Sequence, residues 1–107
     1  MQEETGIRLC EPRPFIYFEN GQIAVTDGSI VWLVIVTCEA MKATARPPEK
    51  SLRRLVRYSE FYPILAAAAI RRGEDVDGKV WVRESDVIAA QGSRGVLGQT
   101  VHTLDRV

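Results

Sequence analysis

Hydrophobic and polar positions divide this chain into several short apolar segments and one dominant run, Ile30 to Val36, where seven apolar residues follow without interruption. A run of that length suits a buried strand or part of a buried helix, because periodicity alone does not separate the two. Five of the seven are Val or Ile, whose branched Cβ is stiff and packs well on a pleated surface. Asp27-Gly28-Ser29 just before it is a turn signal. The run therefore reads as the central strand. It is too short to cross a bilayer as a helix, which needs about 20 residues. Without alternation, both of its faces need cover. A chain with few helices leaves one of those faces to a second copy of itself.

The remaining elements are ordered around this strand. Residues 1–14, with Pro12 and Pro14, read as a flexible N-terminal arm in which Ile7 and Leu9 alternate with Arg8 as a short edge strand. Phe15–Phe18 and Gln22–Val25 flank Asn20-Gly21, a hairpin turn signal, so residues 15–37 predict an antiparallel meander. Thr37 is a helix cap, with Glu39 suitably placed in the first turn. The short helix over 38–43 ends before Arg46-Pro47-Pro48. A longer helix spans roughly 49–72, with Ser51 as an alternative cap, Leu52, Leu55 and Val56 on one face, and a kink or break near 59–62 imposed by Pro63. Alanines 66–69 permit close packing, and Gly73 is a stop. Lys79–Arg83 is a second strand, with Val80 and Val82 on one face and Trp81 on the other. Ser85 or Asp86 caps one helical turn through Ala90. Residues 91–107, carrying Gly92, Gly95 and Gly98, are either a C-terminal tail or an added edge strand. The predicted fold is α+β: a single domain over 15–90, with a small antiparallel sheet of about four strands and the helices packed on one face.

Composition narrows the function classes. The 107 residues are 46% hydrophobic and 26% charged, ordinary for one globular domain. Fourteen basic and fourteen acidic residues cancel, which argues against a dedicated nucleic-acid binder. The acidic N-terminus carries no secretory pattern, and two cysteines, Cys10 and Cys38, suggest reduced thiols in a cytoplasm.

The order of apolar strand, Thr37, Glu39-Ala40-Met41, long helix, Gly78, Val80 and Val82, then Asp86-Val87 resembles a family of short bacterial proteins known only as domain of unknown function 1488. The resemblance covers about residues 20–90. The chain departs from it in placing Phe61-Tyr62-Pro63 where the family carries an unbroken polar helix. The resemblance implies a small α+β fold and no activity or catalytic residues.

Candidate chemistry is sparse. Residues 73–84 partly match a calcium loop, with Asp75, Asp77, Gly78 and Glu84 at suitable offsets, but Gly73 supplies no first ligand. Arg53, Arg54 and Arg57 are candidate phosphate contacts; the plainer reading is a solvated helix face. Neither cysteine lies in a Cys-x-x-Cys pair. His102, the one histidine, has no nucleophile or carboxylate fixed beside it, and Gly92-x-x-Gly95-x-x-Gly98 lacks phosphate-loop spacing. Trp32, Val34, Trp81 and Tyr62 are candidate interface residues. These observations predict a non-catalytic cytoplasmic interaction module that needs no cofactor, metal or membrane and forms a homo-oligomer, most simply a dimer, with room for a protein partner. The alternatives are a small nucleic-acid-binding regulator and a small-ligand protein or enzyme with its site at an oligomer interface.

Overall fold

The computed structural model describes residues 6–97. The elements are β1 (Arg8–Leu9), β2 (Phe15–Tyr17), β3 (Asn20–Thr26), β4 (Val31–Val36), α1 (Cys38–Thr44), α2 (Leu52–Arg57), α3 (Tyr62–Arg71), β5 (Lys79–Val82) and α4 (Glu84–Leu97). The α+β class and a sheet of about four to five strands hold. β3 and β4 form its centre. β1 and β2 pair end to end along the outer side of β3, and β5 closes the other edge.

One strand runs against expectation. β5 is parallel to β4, with Val34 opposite Val80 and Val36 opposite Val82, so the sheet is mixed. Parallel neighbours need a crossover rather than a hairpin, and α1, α2 and α3 between β4 and β5 supply it.

The β2–β3 hairpin also turns elsewhere than Asn20-Gly21. Tyr17 pairs with Asn20, so the turn is Phe18-Glu19, with Phe18 at φ 56°. Asn20 and Gly21 lie inside β3 because each has a packing duty. The Asn20 side chain accepts a hydrogen bond from the Cys38 N–H at 3.2 Å. A Cβ on Gly21 would fall 2.5 Å from Cδ1 of Leu55, a residue with no exposure.

Local caps explain the helices. The Thr37 hydroxyl accepts from the Ala40 N–H at 3.0 Å, and Ser51 caps α2 by accepting from the Arg54 N–H at 3.1 Å. The long helix is broken rather than kinked. α2 ends at Arg57, residues 58–61 form a turn, and Pro63 sits in the first turn of α3, where its missing N–H costs no bond. Gly73 at φ 77° stops α3, its N–H donating to the Ile70 carbonyl.

α4 is longer than the single turn expected. Arg83 is its cap, with the Asp86 carboxylate reaching back to the Arg83 N–H at 2.8 Å, the return half of a capping box. Val87 is fully buried, and the Gln91 amide donates to the Thr44 carbonyl at 2.7 Å. These two anchors carry the helix through Gly92 to Leu97, so the first part of the expected tail is helical. Residues 98–107, and with them His102 and Gly98, lie outside the described residues, as do residues 1–5 of the arm.

All four helices pack on one face of the sheet. Ile23, Val25, Trp32, Val34, Val36, Val80 and Val82 form a single buried cluster with Met41 of α1, Leu55 of α2, Tyr62 and Ala66 of α3, and Val87 of α4. Ala24 and Ile35 are also buried but stand outside that cluster, on the opposite face.

Candidate functional site

That opposite face is an organised surface built from strand residues alone. Residues facing each other across a ladder project to the same side, and the register places Phe15, Gln22, Ile35 and Trp81 in one row across β2, β3, β4 and β5. A second row holds Ala24, Leu33 and Lys79, and a third Arg8, Thr26 and Val31. The first row is about 14 Å wide, three strand spacings. Ala24 and Ile35 are buried at its centre. Around them Val31 is 59% exposed, Tyr17 56% and Trp81 41%. Among the described residues no helix contributes to this face.

The polar groups lie at its margin. The Arg83 guanidinium stands 5.1 Å from the centre of the Trp81 ring, a cation–π arrangement that holds the indole in place. At the far end, Asp27 accepts from the N–H groups of Ile30 and Ser29, and these bonds hold its carboxyl below the usual range. Tyr17 and Phe18 extend the aromatic surface at the hairpin tip, with ring centres 4.5 Å apart.

The expected interface residues divide. Trp81 is exposed on this face, whereas Trp32, Val34 and Tyr62 point into the helix layer and are buried inside the protomer. Trp32 donates its indole N–H to Asp75 at 3.1 Å. Tyr62 shares a 2.8 Å hydrogen bond with Thr44, and burial pushes its hydroxyl up to about 12. Their side chains are occupied within the core, and they leave the candidate set. Phe15, Val31 and Leu33 take their place. Strand alternation alone could have marked Val31 and Leu33 as partners of Ile35, had the inward side of the central run been known.

The arginine set divides as well. Arg53 and Arg57 are exposed, but Arg54 is buried and donates to the carbonyls of Met41 at 3.0 Å, Ala45 at 3.1 Å and Pro47 at 2.8 Å. Its guanidinium is a structural clamp on the end of α1, not a phosphate contact. The calcium-loop residues are likewise engaged or dispersed. Asp75 accepts from Trp32, and Lys79–Val82 is a strand. Among the described residues no group of three or more His, Cys, Asp or Glu side chains converges as a metal site.

Cys38 is buried at the start of α1, 3.7 Å from a Glu19 carboxylate oxygen. Burial, and then the neighbouring Glu39, push its thiol up, which suppresses the reactive thiolate. Cys10 is half-buried on the sheet edge. Iodoacetamide labelling of the folded protein, followed by peptide mass spectrometry, is expected to modify Cys10 first and Cys38 only after denaturation. Equal labelling rates would contradict this placement.

No family model matches the chain, and no curated protein or solved structure gives a match. No described helix is long and apolar enough to cross a membrane.

Proposed function

We propose that this protein is a non-catalytic interaction module of the bacterial cytoplasm that self-associates as a dimer through its helix-free sheet face. One observation carries the reading. A row of Phe15, Gln22, Ile35 and Trp81 crosses the sheet on the side that no described helix covers. The exposed apolar side chains on it are Phe15, Tyr17, Val31 and Trp81, around the buried Ala24 and Ile35, and exposed apolar patches mark interaction sites. Two such faces stack at about 10 Å with their side chains interdigitated, as in a β-sandwich. A second copy is the favoured occupant because the basic side chains on the face, Arg8, Lys79 and Arg83, stand at its edges away from Ala24 and Ile35, and in a two-fold interface the same patch meets itself. Kinship with the domain of unknown function 1488 is part of this proposal and assigns no chemistry.

The nucleic-acid alternative now stands on Arg53 and Arg57 of α2, too few contacts for a strong electrostatic footprint. A small-ligand site at the interface remains tied to the dimer itself.

Native mass spectrometry tests the proposal. The wild-type chain is expected to be a dimer without extra mass. The double variant Val31→Glu/Trp81→Glu is expected to be a monomer with an unchanged circular dichroism spectrum, since both positions are exposed in the protomer. A wild-type monomer, or a double variant that stays dimeric, would overturn the sheet-face interface.

A further inference from the structure

A second surface lies on the helix side, away from that face. An open cleft of about 530 Å³ separates the β1 edge from the outer side of α3. Its apolar lining comes from Ile7 and Leu9 on one side and Pro63, Ile64 and Ala67 on the other. The α3 stripe is regular. Tyr62, Ala66 and Ala69 face the core, with Leu65 and Ile70 packed against it, so Ile64, Ala67 and Arg71, with the buried Pro63 at their edge and Glu60 before the helix, form the side turned to the cleft. Ile64 is 65% exposed there.

The β1 edge supplies the second half of the site. Arg8 pairs with Thr26, and the Cys10 N–H donates to the Ala24 carbonyl at 3.0 Å. Bonded positions alternate along an antiparallel strand. Residues 8 and 10 therefore spend their backbone groups on β3, while those of Ile7 and Leu9 aim outward at the open edge. The two ends of the cleft carry opposite charges, Glu60 and Arg71, and Arg8 adds a second cation on the β1 side. Neither Glu60 nor Arg71 makes an ion pair among the described residues; the described ion pair nearby is Arg72 with Glu74 at 2.8 Å.

We infer that this cleft binds an extended peptide, which adds as a strand to β1, lays alternate apolar side chains against Ile64 and Ala67, and places a carboxylate at Arg71 and a cationic side chain at Glu60. Strand addition of this kind draws affinity from main-chain hydrogen bonds and selectivity from pockets that read every second side chain. The dimensions agree. The stripe from Glu60 to Arg71 runs on the order of 16 Å at the helical rise, which an extended chain covers in about five residues. The charge pattern favours a peptide over a small anion, because an anion would leave Glu60 facing it unpaired.

The test uses the full chain and two labelled heptapeptides, Asp-Thr-Val-Thr-Val-Thr-Lys and its reversed order Lys-Thr-Val-Thr-Val-Thr-Asp, both with blocked ends, in which the end charges and the valines share one face of the strand. Fluorescence anisotropy is expected to show saturable binding of one of the two, since the end charges select the strand direction. Arg71→Glu is expected to weaken it about tenfold, and exchanging the peptide's Asp for Lys to restore it. Leu9→Pro removes an outward N–H without touching the bonds to β3, and is expected to abolish binding where Leu9→Ala does not. A peptide N-methylated at alternate residues gives the same readout with the unaltered protein. Absence of binding by both peptides, or binding indifferent to Arg71→Glu or to N-methylation, would overturn the inference. So would a dimer that Arg71→Glu dissociates, which would make a second copy the occupant. Because Val31 and Trp81 lie on the other face, failure here leaves the dimer proposal standing, and the reverse also holds.

Discussion

Replacing Arg54 by alanine is expected to lower stability by about 3 kcal/mol, the largest effect of any charged residue among those described, because it is the buried one. The guanidinium is buried and serves three carbonyls, those of Met41, Ala45 and Pro47. Two of these belong to the end of α1 and the residue that follows it, where carbonyls have no partner within the helix. The third begins the segment leading to α2. One side chain thus fastens the end of α1 to the start of α2. Truncation strands acceptors in a site that water reaches poorly, and each stranded group costs about 1–3 kcal/mol. Lysine is expected to recover little, because an ammonium on a flexible stem does not reproduce a planar fork aimed at separate acceptors. Arg53→Ala and Arg57→Ala, on the exposed side of α2, are expected to stay within about 0.5 kcal/mol of wild type. Urea unfolding at constant slope measures all four. Equal midpoints for the Arg54 and Arg53 alanine variants would refute the clamp.

The arginines also show what the sequence could not convey. Arg53, Arg54 and Arg57 look alike as letters, and the helical period placed Leu52, Leu55 and Val56 on one inward face. In the fold Leu55 and Arg54 are inward, while Leu52 and Val56 are about half exposed. The orientation of α2 is decided by distant carbonyls in need of donors, and no local pattern records them. Caps and stops were legible, because Thr37 and Gly73 act on backbone groups three or four residues away.

Faces and directions behaved differently. The central run is apolar throughout, so it does not disclose which alternate set meets the helices. β5 does alternate, and its Val80 and Val82 are inward. Only the pairing of β4 with β5 transfers that information, making Val34 and Val36 inward and Ile35 outward. This is why Val34 and Trp32 looked like interface residues and proved to be core. The direction of β5 was hidden for a related reason. A short strand carries no local mark of being parallel; the helical crossover before it sets the direction.

Two substitutions in the β2–β3 hairpin are expected to shift stability in opposite directions. Gly21→Val is expected to cost about 2 kcal/mol, although valine is the better strand former. Its Cβ would land 2.5 and 2.9 Å from the two terminal carbons of Leu55. Leu55 is itself fully buried and has no open space to move into. Phe18→Gly acts on the true turn. Phe18 holds a left-handed backbone at φ 56° while 85% exposed, a conformation that costs a side-chain-bearing residue about 1–2 kcal/mol and glycine almost nothing. The variant loses the contact with Tyr17, worth about 0.5 kcal/mol, and glycine loosens the unfolded chain by about as much. The balance is a small gain. Thermal unfolding of both variants checks the pair. If Asn20-Gly21 were the turn, valine at 21 would fail through its backbone rather than through Leu55, and shortening that neighbour would not help. Adding Leu55→Ala to Gly21→Val is therefore the deciding measurement: the double variant is expected to lose less than the sum of its parts, because the alanine vacates the space that the valine needs.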